Sequence, residues 1–104
     1  MIFIESPVFS ADLLELLSDD EYSAFQRYLI ANPDAGDVIQ GTGGLRKVRW
    51  AAGGKGKSGG VRMIYFHVDE LEQIRLLLIY KKGIKDDLTK REKSILRGIK
   101  DRWT

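Results

Sequence analysis

Two stretches near the middle of the chain, VRMIYFHV (61–68) and IRLLLIYKK (74–82), decide the fold. Both are rich in β-branched and aromatic residues, which favour strands. Only the short segment 69–73 joins them, and a connection that short implies an antiparallel pair. A third strand is predicted at 45–51 (LRKVRWA). The glycine-rich segment AGGKGKSGG (52–60) between it and the next strand predicts a mobile hairpin loop.

The first third of the chain predicts one strand and two helices. Residues 2–5 (IFIE) read as a short strand that stops near Pro7, and apolar residues at helical spacing predict a helix over 9–17. Ser18, three residues before Glu21, is a capping box that begins a second helix, which ends at 32–33 (Asn-Pro). The glycine-rich residues 33–44 predict a connection without regular structure.

A last helix is predicted after residue 88, because Thr89 and Glu92 form a second capping box. Its inner face is expected to consist of four apolar residues: Leu88, Ile95, Leu96 and Ile99. The predicted order is therefore β-α-α-β-β-β-α. We expect a single α+β domain over 1–104, with an antiparallel sheet and helices packed on one face.

Composition excludes several protein classes. A hydrophobic fraction of 43% and a charged fraction of 31% are typical of a folded globular domain. Cysteine is absent, so neither disulfides nor thiolate metal sites are available, as in a reducing cytoplasm. No apolar run reaches the roughly 20 residues of a membrane helix, and we expect no signal peptide. A cytoplasmic protein that does not contact a membrane is predicted.

Charge is divided unevenly along the chain. Residues 1–44 carry eight acids and one base, a net charge of −7, whereas residues 45–85 carry ten bases and three acids, a net charge of +7. Residues 86–104 add a net charge of +2. This asymmetry favours a polyanion-binding middle segment. Mutual neutralisation of the two halves across the fold is the alternative.

Two familiar catalytic patterns do not fit. Gly56-Lys57-Ser58 resembles part of a phosphate-binding loop, but Ala51 stands where that motif needs its first glycine, and a strand rather than a helix follows. His67 is the only histidine, so one chain cannot supply a two-histidine acid–base pair. We expect His67 to be structural and predict neither a bound metal nor any other cofactor.

What remains is a cluster of cations on the predicted sheet, which suits cleavage of RNA. Attack of a ribose 2′-hydroxyl on the adjacent phosphate needs a proton acceptor, a proton donor and charge stabilisation. Arginine holds phosphate oxygens in a bidentate manner, and a lysine among other cations can lose its proton more easily. Tyr80 could stack on a base or polarise an oxygen. The predicted catalytic residues are Lys55, Lys57, Arg62, Tyr80 and Lys82. Alternatively, the two loop lysines only keep the loop soluble.

Three segments also resemble the RelE/HigB family of toxins from bacterial toxin–antitoxin pairs, especially its HigB-like branch. They are GTGGLRKVRW (41–50), GKGKSGGVRMIY (54–65) and LLIYKK (77–82) followed by Asp87-Leu88. The resemblance extends from Phe3 through the last helix. It implies a small microbial-ribonuclease-like fold and an mRNA interferase that cuts messenger RNA in the ribosomal decoding site. It also implies a cognate antitoxin with a helix-turn-helix domain, through which operator DNA is contacted only indirectly.

The same resemblance suggests individual roles. Arg62 matches the family's phosphate-binding arginine, Lys55 and Lys57 match loop lysines that activate the 2′-hydroxyl, and Lys82 matches the basic residue that ends the last strand. We expect a further set of residues to contact RNA or the ribosome: Arg46, Lys47, Arg49, Lys81, Lys85 and Trp103. Several relatives have a catalytic tyrosine or histidine near the C-terminus, but residues 83–104 contain neither. The general acid and base are thus left open between a lysine and Tyr80.

Two other functions have the same charge pattern. A non-catalytic nucleic-acid-binding module would hold phosphates on the same basic sheet without cutting them. An inactive toxin homologue would survive only as an antitoxin partner or co-repressor, although the presence of Lys55, Lys57 and Arg62 argues against loss of activity.

Overall fold

The computed structural model describes residues 1–52, 60–84 and 87–103. They form a small α+β domain with three helices and a five-stranded sheet. In chain order the elements are β1 (Ile2–Glu5), α1 (Pro7–Leu16), α2 (Asp19–Ala31), β2 (Asp37–Val38), β3 (Arg46–Trp50), β4 (Val61–Val68), β5 (Gln73–Lys81) and α3 (Lys90–Arg102). The α+β class predicted from the sequence is confirmed. The predicted glycine-rich loop lies almost entirely outside the described residues.

Both capping boxes predicted from the sequence are present where α2 and α3 begin. The Ser18 hydroxyl accepts a hydrogen bond from the Glu21 amide at 3.1 Å, and the Glu21 carboxylate accepts one from the Ser18 amide at 2.8 Å. Thr89 and Glu92 form the same reciprocal pair at the start of α3. Each box satisfies amides that the first helical turn leaves without a partner.

The sheet is mixed, and the prediction of an antiparallel sheet was wrong at one edge. Its strand order is β1-β5-β4-β3-β2, and β1 pairs with β5 in parallel. Short connections determine only the relative directions of β3, β4 and β5. The strands β1 and β5 are far apart in sequence, so no short connection determines how they pair. The prediction of an irregular connection over 33–44 also missed β2, whose two residues pair with β3.

Helices cover both faces of the sheet, so the prediction of helices on one face was wrong. One face packs against α1 and α2 through a core that includes Phe9, Phe25 and Met63. The opposite face, here called the α3 face, packs against Leu96 through Leu45, Ile64 and Leu77. A strand buried on both sides needs apolar residues at consecutive positions. The run LLLI at 76–79 has this property.

A bulge in β5 shifts its register against β4 by one residue. Ile64 pairs with Leu78 but Tyr65 pairs with Leu76, so Leu77 is an extra residue on β5. Leu77 and Leu78 therefore both belong to the apolar cluster on the α3 face. Beyond the bulge, Tyr80 faces α3 and Lys81 faces α1.

The inner face of α3 is narrower than its sequence pattern predicts. Leu96 is buried, but Ile95 and Ile99 are 51% and 36% exposed. Leu88 lies just before the helix and packs against the Leu96 cluster. The prediction that Ile95 and Ile99 face inward was therefore wrong, because Leu96 is the buried residue of α3.

Tyr65 and His67, both on β4, form polar contacts with residues 33–35. The Tyr65 hydroxyl lies 2.7 Å from the Ala35 carbonyl oxygen and 3.0 Å from that of Pro33. His67 Nδ1 lies 3.0 Å from the Asp34 carboxylate. These contacts give His67 a structural place at the end of β4, away from Tyr80. No described helix is long and apolar enough to cross a membrane.

Candidate RNA-cleavage site

Three adjacent strands bring Arg49, Arg62 and Tyr80 into one line on the α3 face. Arg49 of β3 pairs with Arg62 of β4, and Arg62 pairs with Tyr80 of β5. Directly paired residues project to the same side of a sheet, with neighbouring strands about 4.8 Å apart. These three residues, here called the cross-strand row, therefore span about 10 Å. Two guanidinium groups and one phenol are presented together.

The regular strand register gives the row a fixed direction. Val48 and Trp50, on either side of Arg49, belong to the core on the opposite face. The Trp50 indole nitrogen donates to the Glu21 carbonyl oxygen at 3.2 Å, and its ring packs 5.3 Å from that of Phe25. Because Trp50 is held against α2, β3 cannot rotate without losing these contacts, and Arg49 stays on the α3 face.

Tyr80 is a protonated phenol beside the guanidinium of Arg62. Burial raises the pKa of Tyr80 above its ordinary value of 10.0, and the charges of Asp87 and Glu92 raise it further. Arg62 opposes this shift, because a cation favours the phenolate. A neutral hydroxyl can donate a proton but is a poor acceptor. The raised pKa suits a proton donor better than a proton acceptor.

Two lysines lie near the cross-strand row: Lys47 on β3 and Lys82 immediately after the end of β5. Lys47 lies two residues before Arg49 and pairs with Ile64, so it is on the same face. Lys82 follows β5, where its amide donates to the Gly60 carbonyl oxygen at 3.1 Å and its side chain is exposed. Together with the row, these residues place four cations at one end of the α3 face.

Three other residues predicted to contact RNA lie elsewhere. The Arg46 side chain is on the opposite face and donates to the carbonyl oxygens of Asp34 and Gly36 at 2.9 and 3.2 Å. Lys81 also faces that side, where it lines a pocket with Asp12 and Glu15.

Trp103 lies toward the start of β5, far from Tyr80 at its end. The Arg75 guanidinium sits 5.9 Å from the Trp103 ring centre and donates to the Trp103 carbonyl oxygen. Trp103 is thus placed at the opposite end of β5 from the cross-strand row.

Lys55, Lys57 and Lys85 were also predicted to act on RNA, and all three lie outside the described residues. The ends of the loop that carries the first two are described. Trp50 and Val61 are paired across β3 and β4, immediately before and after it. The loop therefore begins and ends next to Arg49 and Arg62, which are the neighbouring residues on each strand.

The sequence did not indicate that Asp87 and Glu92, near the start of α3, raise the pKa of Tyr80. The capping box gave a usable signal, because it fixes where α3 begins, but the sequence did not show that α3 crosses the face opposite α1 and α2. Within residues 1–52, 60–84 and 87–103, no group of three or more acidic, histidine or cysteine side chains is placed to hold a metal ion.

Folding turns the uneven charge along the chain into a division between faces. α1 and α2 carry most of the acids of the first half and lie behind the sheet. α3 carries six bases and two acids and lies on the face that holds the cross-strand row. The basic surface near Arg49 and Arg62 is therefore not covered by the acidic helices. No protein-family model matches this chain.

Proposed function

We propose that the protein is an endoribonuclease of the RelE/HigB toxin type, which cuts messenger RNA on the ribosome. The observation that carries this proposal is the cross-strand row of Arg49, Arg62 and Tyr80. Two arginines can hold the nonbridging oxygens of one phosphate, and a protonated phenol beside them can serve the leaving group. The family resemblance supplies the identity of the substrate.

The reaction proposed is an internal transfer at phosphorus. The 2′-oxygen forms a bond to the adjacent phosphorus while the bond from phosphorus to the 5′-oxygen breaks, which leaves a 2′,3′-cyclic phosphate and a 5′-hydroxyl. Arg62 and Arg49 stabilise the charge that builds up on the phosphorane oxygens. Tyr80 gives its proton to the departing 5′-oxygen. A lysine, from Lys55, Lys57 or Lys82, accepts the proton of the 2′-hydroxyl.

Ribosome dependence is part of the proposal because the family resemblance implies cleavage in the decoding site. The cross-strand row can hold a single phosphate, and the decoding site would present that phosphate to it. The proposed reaction needs no metal ion, because guanidinium groups supply the charge stabilisation. A helix-turn-helix antitoxin is the proposed partner that neutralises the protein in the cytoplasm.

The decisive experiment is induced expression together with mapping of RNA ends in ribosome-bound messages. We expect growth arrest and discrete in-frame cuts with 5′-hydroxyl ends, and no cuts when the purified protein meets free RNA. Strong cutting of free RNA that a chelator abolishes would contradict both the ribosome and the metal parts of the proposal. Binding to ribosomes without any cut would favour the non-catalytic module.

A further inference from the structure

Trp50, the last residue of β3, connects the end of that strand to α2. Its indole nitrogen donates to the Glu21 carbonyl oxygen at 3.2 Å. Its ring centre lies 5.3 Å from that of Phe25, with an angle of 67° between the planes, and 5.2 Å from that of Tyr28. One hydrogen bond and two aromatic contacts therefore hold the residue next to Arg49 against a helix on the opposite side of the sheet.

The part of β3 that carries Arg49 has a neighbouring strand on one side only. β2 pairs with Arg46 and Lys47, so among the described residues Val48–Trp50 are paired with β4 alone. Arg49 also lies directly opposite Arg62, and like charges at directly opposed positions destabilise a pair of strands. Contacts outside the strand pairing therefore matter most at this end of β3.

The groups around Trp50 leave it little room to move. Glu21 forms the capping box with Ser18, so the carbonyl oxygen that accepts from the indole lies in the ordered first turn of α2. On the backbone side, a Cβ added at Gly60 would overlap the Trp50 carbonyl group. The position of Trp50 is thus determined both by α2 and by the residue just before β4.

We propose that Trp50 is a positioning residue for Arg49, so that the first turns of α2 support the cross-strand row; the inference rests on the proposed function. Trp50 acts from behind the sheet, because its side chain packs against the core on the side of α1 and α2. A guanidinium that stabilises a phosphorane must lie at a fixed place, since a displacement of about 1 Å can cost about 100-fold in rate. The indole contacts fix the end of β3, and the end of β3 fixes the backbone of Arg49.

A double-mutant cycle, measured on cleavage of ribosome-bound messages, tests this role. Trp50→Phe keeps an aromatic ring beside Phe25 but removes the N–H donor, and we expect it to slow cleavage about tenfold in the native background. In an Arg49→Ala background the same change should slow cleavage by less than about twofold, because the residue that Trp50 positions is already absent.

Tyr65→Phe is the matched control for this cycle. It also loses hydrogen bonds to backbone carbonyl oxygens on the side of α1 and α2, but Tyr65 is not next to Arg49, so this variant should cut at the native rate. An equal loss from Trp50→Phe in both backgrounds would overturn the positioning role. A loss as large in Tyr65→Phe would overturn it too, because lower stability of the fold would then explain both defects.

A second measurement does not depend on cleavage. The side-chain Nε–H signals of Arg49 and Arg62 are followed in nitrogen-15-labelled full-length protein while inorganic phosphate is added. We expect both signals to shift in the native protein. Trp50→Phe should weaken phosphate binding by about threefold or more, which is part of the loss expected when one charge-assisted hydrogen bond is missing. Tyr65→Phe should leave phosphate binding unchanged.

The phosphate titration separates this inference from the proposed function. Equal phosphate affinity in the native protein and in Trp50→Phe would overturn the role of Trp50, even if ribosome-bound messages are still cut. Weaker phosphate binding in Trp50→Phe, in a protein that cuts no message, would uphold the role of Trp50 and overturn the nuclease. Phosphate that shifts neither arginine signal in the native protein would overturn both.

Discussion

Arg49 lies directly opposite Arg62 across β3 and β4, so two guanidinium groups share one face of the sheet at neighbouring positions. Residues placed in this way have Cβ atoms about 4.5–5.5 Å apart, and like charges there destabilise the fold. A phosphate between them would reverse this effect, because each guanidinium can donate to a separate oxygen. Stability and binding of an anion therefore make opposite demands on the same pair.

The opposition can be measured with Arg49→Ala. Removing one of the two charges should raise the free energy of unfolding by up to about 1 kcal/mol in denaturant titrations. The same variant should lose RNA cleavage, by about tenfold or more, because one phosphate oxygen loses its donor. Arg27→Ala, which removes an exposed cation from α2, should change neither quantity. A variant of Arg49 that is less stable, or as active as the native protein, would contradict this account of the pair.

Tyr80→Phe removes the proposed proton donor and little else. We expect cleavage to slow by about 100-fold, the lower end of what acid–base groups contribute. A message whose scissile 5′-oxygen is replaced by sulfur should be cut by Tyr80→Phe nearly as fast as by the native protein, since a thiolate leaves without a proton. Tyr28→Phe, on the opposite side of the sheet, is the matched control. An equal defect on the oxygen and sulfur substrates would assign Tyr80 to binding.

Local signals in the sequence predicted the elements but not all of their arrangement. The two capping boxes fixed the starts of α2 and α3, and the apolar alternation gave β4 its observed bounds. The parallel pairing of β1 with β5 depends on contacts between distant parts of the chain, for which no turn motif exists. The side on which α3 packs likewise depends on contacts between distant parts of the chain, because α1 and α2 cover one face of the sheet and α3 packs on the other.

For the candidate site too, the sequence predicted local features but not how they are arranged together. Alternation along β4 indicated that Arg62 projects from a strand, and the register then aligned it with Arg49 and Tyr80. Arg46 and Lys81 carry the same charge as their neighbours, but each is one residue out of phase with the row and faces the other side. Position relative to the pleat, rather than charge, decides which cations meet.

Stability should fall above pH 10 because three tyrosines are held neutral by the fold. Burial raises the pKa values of Tyr22, Tyr65 and Tyr80 above 10.0, and the Tyr22 hydroxyl also donates to the Glu5 carboxylate at 2.7 Å. A raised pKa means that the folded state keeps a proton that the unfolded chain loses. The resulting stabilisation is complete below pH 10 and is lost as the pH rises through the folded values.

Each such tyrosine contributes a slope of about 1.4 kcal/mol per pH unit in this range. Denaturant titrations between pH 7 and 12 should show a flat free energy of unfolding that then declines. In Tyr65→Phe the slope of the decline should be smaller by the contribution of one tyrosine. The free energy of unfolding of this variant at pH 7 should be about 1 kcal/mol lower, because the hydrogen bond from the hydroxyl to residues 33–35 is missing. An unchanged slope in Tyr65→Phe would show that this phenol ionises equally in both states.

Binding to RNA or ribosomes should weaken steeply with salt. Four described cations lie on one end of the α3 face: Lys47, Arg49, Arg62 and Lys82. If all four contact phosphates, release of counterions gives a slope of about −3 in a plot of log affinity against log salt concentration. Lys47→Gln should reduce the slope by about 0.7, while Lys81→Gln, on the opposite face, should leave it unchanged. A flat response would mean that this surface does not meet a polyanion.

Arg62 is the residue on which catalysis should depend most. It stands at the centre of the cross-strand row, between Arg49 and Tyr80, on a strand whose neighbouring residues Val61 and Met63 are buried in the core. Arg62→Ala should cost about 3 kcal/mol of transition-state stabilisation, or roughly 100-fold in the rate of cleavage. Arg62→Lys should recover little, because one ammonium cannot reproduce the planar fork that holds two oxygens. Both variants should fold, since the half-buried Arg62 side chain lies outside the apolar core and its removal opens no core cavity. Growth arrest by Arg62→Ala as strong as that of the native protein, at equal soluble expression, would show that the site lies elsewhere.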